Sequence, residues 1–166
     1  MRSSVIRRAA VLSSAVVLSL GVAACGGSDS ISVPDGKGGS VAVDQSDDGV
    51  TLDTEGGSVT SSTKLPKDFP TDKVPLIDGD VVSSVSTTQT GGGGFNVVVS
   101  SSKSSTDALD EAVSLLTDAG YEKSGAFAES TSTIAGLKSA DYSVLVQIVD
   151  IGKGTTVSYT VAPNGS

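Results

Sequence analysis

The chain has one thiol, Cys25, which closes the run Val22-Ala23-Ala24-Cys25. A deprotonated thiol is a strong nucleophile and a metal ligand, but a lone cysteine forms no internal disulfide. Histidine is absent, so the imidazole base and the usual nitrogen metal ligand are missing. The arginines are Arg2, Arg7 and Arg8, all before Cys25, so beyond it no guanidinium can clamp a phosphate or carboxylate. What remains is serine with lysine, paired carboxylates and tyrosine. Ser-x-x-Lys is expected to find no strand-to-helix setting. The carboxylates fall mostly on turns and at a helix start, with no pair spaced to share a pocket. The residue types therefore speak against an enzyme, a metal centre and a cofactor site.

The segment before Cys25 explains the thiol. The three arginines form a basic start. Ala9 to Val22 form an apolar run of about 14 residues, too short for a comfortable membrane span. Small residues then lead to Cys25, and Gly26-Gly27-Ser28 follow. This order resembles the lipobox of bacterial lipoproteins, and the Ala-Cys-Gly-Gly-Ser junction resembles that of high-GC Gram-positive bacteria. The resemblance implies cleavage between Ala24 and Cys25 and a diacylglyceryl group on the Cys25 sulfur. Residues 1–24 are then a signal peptide, and the protein is lipid-anchored on the extracytoplasmic side of the cell membrane. Two acyl chains hold a protein stably where one holds it only reversibly.

Past the leader, eight lysines face 19 acidic residues, and the whole chain carries a net charge of −8. Such a surface is a poor nucleic-acid binder, because phosphates need clustered cations. Residues 25–64 read as a tether rich in Gly, Ser and Asp. As a random coil it would reach roughly 35 Å. Gly-Gly-Ser-Val occurs twice in it, at residues 38–41 and 56–59. Each copy sits in an alternating pair: Ile31 and Val33 with Val41 and Val43, then Val50 and Leu52 with Val59. Two short β-hairpins are predicted there, marginal unless they pair or dock. Asp44, Asp47, Asp48 and Asp53 lie among them as solvated turn acids, without the closing glutamate of a calcium loop.

Residues 65–166 carry the folded domain. Pro66, Pro70 and Pro75 fix an extended or turn-rich course over residues 65–76, and Leu65, Phe69, Val74 and Leu76 can pack as a strap over the core edge. This segment resembles one found in small actinobacterial lipoproteins of unassigned function. The glycine run before Phe95 lacks the Gly-Lys-Ser/Thr close of a phosphate loop and leads into a strand. Ser104 caps a helix over 106–119, with Leu109, Ala112, Val113 and Leu116 on one face and Gly120 as its left-handed stop. Alternating segments at 81–89, 95–101, 121–128, 131–137, 142–149 and 155–162 predict six strands. The expected fold is α+β: an antiparallel sheet with one helix on its apolar face (β-β-α-β-β-β-β) and a Ser/Thr-rich outer face, preceded by the flexible or hairpin-containing tether.

Anchoring and composition together imply a non-catalytic binding or adaptor module, with an envelope protein or glycan as partner besides the membrane. The alternatives are a structural or accessory subunit of an envelope complex and a small solute-binding lipoprotein.

Overall fold

The computed structural model describes residues 29–34, 40–46, 49–89, 92–129 and 132–164. The leader, Ala24 and Cys25 lie outside the described residues, as do Asp47 and Asp48. Ten strands form one antiparallel sheet: β1 (Asp29–Pro34), β2 (Ser40–Ser46), β3 (Gly49–Thr54), β4 (Gly57–Ser62), β5 (Asp80–Gln89), β6 (Gly94–Ser101), β7 (Glu122–Glu129), β8 (Ser132–Lys138), β9 (Tyr142–Asp150) and β10 (Thr155–Pro163). Among the described residues one helix, α1 (Ser105–Asp118), follows β6. The spatial order is β1-β2-β3-β4-β5-β6-β10-β9-β8-β7. The fold is α+β and mostly strand. No helix among the described residues is long and apolar enough to cross a membrane.

The order departs from the expected pattern at both ends. The stretch read as a tether supplies four strands, and β4 pairs with β5, so the sheet continues through it. The two predicted hairpins exist, as β1–β2 and β3–β4, but they also pair with each other. An isolated hairpin is marginal in water, and pairing with the edge of β5 satisfies backbone groups that a coil would leave to solvent. At the other end β6 does not meet β7. Helix α1 carries the chain over β10, β9 and β8, and β7 forms the far edge.

Local chemistry explains α1. Ser104 has extended backbone angles, and its Oγ accepts from the Asp107 N–H at 3.2 Å. At the other end Gly120 takes φ +89°, which an L side chain rarely adopts. The Gly120 N–H reaches the Thr117 carbonyl and the Tyr121 N–H the Leu116 carbonyl, both at 3.0 Å. That pair of bonds closes the helix as a Schellman motif, and Tyr121 is buried beneath it.

The core lies on one face of β6, β10, β9 and β8. Val97 and Val99, Val157 to Val161 at alternate positions, and Val144, Val146 and Ile148 point into it. Two segments cover it. Helix α1 contributes Ala108, Ala112 and Leu116. The strap contributes Phe69 and Val74, as expected, and also Ile77. Phe69 meets Phe95 edge-on at 5.4 Å between ring centres. The strap is fastened at three points. The Ile77 N–H donates to the buried Tyr159 hydroxyl at 3.2 Å. Lys73 Nζ reaches Asp141 Oδ2 at 3.0 Å across the surface. Ser84 Oγ donates to the Lys64 carbonyl at 2.6 Å.

Candidate functional site

Ala24 and Cys25 lie outside the described residues, so the thiol has no geometry to discuss. Four of the described carboxylates have structural tasks. Asp107 Oδ2 accepts from the capping Ser104 hydroxyl, and Asp150 Oδ1 accepts from the Gly152 N–H in a turn. Asp141 pairs with Lys73 and Glu111 with Lys103. Asp44 and Asp53 stand on β2 and β3, in register with Thr51 and Ser58. Among the described residues no three His, Cys, Asp or Glu side chains converge as metal ligands.

The expectation about serine and lysine fails at one place. Ser100-Ser101-Ser102-Lys103 runs from the end of β6 to the start of α1. Lys103 Nζ is nonetheless 2.9 Å from Glu111 Oε2, and that carboxylate holds the ammonium above its ordinary pKa. A lysine kept charged cannot take a proton from serine. Tyr159 is no acid–base candidate either. Burial pushes its hydroxyl pKa well up, and the oxygen is committed to Ile77.

What the fold assembles instead is a groove. The rows of the sheet run Phe95–Ser86–Thr60–Thr51 and Val97–Ser84–Ser62 across neighbouring strands. Phe95 and Val97 belong to the core side, so the same face turns from hydrocarbon to hydroxyl at β5. The strap leaves β4 at this point and arches over the polar part. Between strap and sheet lies a groove of about 290 Å³. Its floor is Thr60 and Ser62 of β4 with Ser84, Ser86 and Thr88 of β5. Leu65 and Pro66 form an apolar wall, and Lys64, Lys67 and Asp68 complete the lining. The Thr60 and Thr51 hydroxyls, 3.0 Å apart, extend the polar floor onto β3.

Ser84 fixes the geometry. It is buried, and its hydroxyl bonds the Lys64 carbonyl, with the Ser62 carbonyl at 3.4 Å. The proton is thus spent on holding the strap. Thr60, Ser86 and Thr88 bring neutral groups that both donate and accept. Such a surface can bind a polar, uncharged ligand. Its volume lies at the small end for ligand pockets, which span about 300–1,000 Å³.

Sequence reasoning named none of these residues as a site. The strands that supply the floor have Ser or Thr at alternate positions, which reads as a solvated face. The nearest signal was the strap's proline spacing, which requires a segment crossing the sheet edge. The chain matches no known family model, and comparison with curated proteins and with solved structures finds none similar to it.

Proposed function

We propose that this protein is an exported lipoprotein, anchored through Cys25 to the outer face of the cell membrane, whose folded part is a non-catalytic module that binds an envelope glycan. The observation that carries the reading is the groove between strap and β4–β5, with a hydroxyl floor and an apolar Leu65–Pro66 wall. A sugar ring has hydroxyls around its edge and C–H groups on its faces. One hydroxyl surface set against one hydrocarbon surface is therefore its natural complement. The anchor is supported by the succession of residues in the leader sequence: basic start, short apolar run, small residues, cysteine.

The glycan reading is tested by titrating the exported protein with oligosaccharides released from Gram-positive cell walls. Thr60→Val with Ser86→Ala should weaken binding roughly tenfold, the loss of two ordinary hydrogen bonds. Equal affinity of the double variant, or no binding by the parent, overturns it. The anchor is tested separately. Cys25→Ala should release the protein or leave the precursor uncut, and a variant still processed and membrane-bound overturns that part.

A second reading, an accessory subunit of an envelope complex, is favoured by the exposed apolar residues Val50, Leu52 and Val59.

A further inference from the structure

The groove uses one face of the N-terminal strands, and the opposite face has its own character. By register Val43, Leu52 and Val59 form one row across β2, β3 and β4. Val50 of β3 and Val85 of β5 belong to the next. Val50, Leu52 and Val59 are 40, 41 and 40 % exposed. On β2, β3 and β4 every other described position of this face is Ser, Thr, Gln, Gly or Val, and none is charged; Asp80 joins the face only at the far end of β5, beyond the end of β4. Asp44 and Asp53 stand on the groove side instead. In a chain of net charge −8 the β2–β4 part of this face is a surface from which charge is absent.

We propose that this face lies on the phospholipid surface that holds the anchor. The inference rests on the reading of Cys25 as lipidated. With β1 to β4 folded as strands, the expected tether takes its hairpin-containing form and is not a long coil. Only Gly26, Gly27 and Ser28 separate Cys25 from β1, a span of at most about 14 Å. β1 is also the edge of the sheet. So short a leash keeps the strand arm at the bilayer and makes its contact with lipid effectively intramolecular, so that a small apolar area suffices. Anionic headgroups repel the acidic faces of the molecule and leave the uncharged face as the one that can approach. The groove, on the other side of the same strands, then opens away from the membrane. A second copy could also cover the face, but the leash brings lipid to it in every molecule without an encounter.

The chain contains no tryptophan, so one introduced residue reports alone. The processed, lipidated protein with Leu52→Trp is reconstituted into phosphatidylcholine–phosphatidylglycerol vesicles whose acyl chains carry bromine, a contact quencher. Leu52→Trp should lose most of its emission relative to bromine-free vesicles. Ser114→Trp, on the exposed side of α1, should keep it. Val59→Trp repeats the measurement should Leu52→Trp not fold. Unquenched emission at both positions in protein that floats with the vesicles overturns the docking and leaves the anchor standing. Emission that shifts with protein concentration but ignores bromine assigns the face to a second copy and also overturns it. Protein that does not float, and whose N-terminal peptide lacks the diacylglyceryl mass, removes the anchor reading and the docking with it.

Discussion

The two halves of the sheet follow the same alternation with opposite results. In β6, β8, β9 and β10 most apolar positions face α1 and the strap and are buried, while Leu145 and Val149 of β9 stand exposed on the other face. In β2, β3 and β4 they face the other way, and Val50, Leu52 and Val59 remain partly open. The inversion occurs at β5, where Ser84 and Ser86 occupy the row positions next to Val97 and Phe95. A period of two specifies that a strand has two unlike faces, not which of them will be covered. The covering segments decide that. Helix α1 and the strap lie over the C-terminal half and only graze the N-terminal half, which leaves a groove on one side and an apolar surface on the other.

The sharpest way to break this contrast is to truncate one leucine in each half. Leu116→Ala removes a fully buried side chain beneath α1 and should cost about 3 kcal/mol of unfolding free energy. Leu52→Ala should stay within about 0.5 kcal/mol in the lipid-free protein. Urea unfolding followed by circular dichroism measures both, and comparable losses would make the N-terminal half a second core.

Next in size is the strap's fastening. Tyr159→Phe leaves the buried Ile77 N–H without its acceptor and should cost roughly 1–3 kcal/mol. The parent's pH dependence has a definite sign. Burial raises the folded-state pKa of Tyr159 above its ordinary 10.0, so the unfolded chain ionises first. Stability is full below pH 10 and declines as the pH rises beyond it. Tyr159→Phe should flatten that decline in a pH series of melting curves; an unchanged slope would mean that another group causes it.

Gly57→Ala asks whether the N-terminal strands truly belong to the sheet. Gly57 has φ +147°, and a Cβ there would run into the Thr88 carbonyl oxygen of β5. The substitution should cost about 1–3 kcal/mol and loosen the β4–β5 pairing. Faster amide exchange confined to β1–β4 would locate the damage, and no change would mean that those strands pair only loosely with β5. The smallest effect is expected at the surface. Lys73→Ala breaks an ion pair whose side chains are 62 and 57 % exposed, and should shift stability by less than about 0.5 kcal/mol.

Several parts of the fold were legible in the residues themselves. Helix α1 was readable because cap, stripe and stop are local: Ser104, the Leu109–Ala112–Val113–Leu116 spacing and Gly120. Strands β6, β9 and β10 were readable because apolar residues alternate cleanly in them, and β5, β7 and β8 from shorter signals such as Phe127 and Ile134. The hairpins at residues 29–62 were readable as hairpins from the repeated Gly-Gly-Ser-Val. Their attachment to β5 was not, because β4 and β5 offer Ser and Thr on both sides and so carry no signal for partner or register. Nor was the burial of Ile77, which depends on Tyr159, 82 residues away in sequence. The groove was illegible for the same reason. Its floor comes from two strands and its wall from the segment between them, and each alone reads as ordinary solvated surface.

By itself, then, the sequence determined the chemistry at hand and the local elements. One cysteine in a lipobox-like setting, no histidine, arginine confined to the leader, one capped helix and alternating strands are all properties of neighbours along the chain. Only the tertiary structure decided which strands adjoin, where α1 crosses and which face each half of the sheet conceals. The physical reason is that alternation makes both faces of a strand available, whereas burial is a property of what lies above it. In this protein that is set by a strap and a helix whose resting places depend on contacts far apart in sequence.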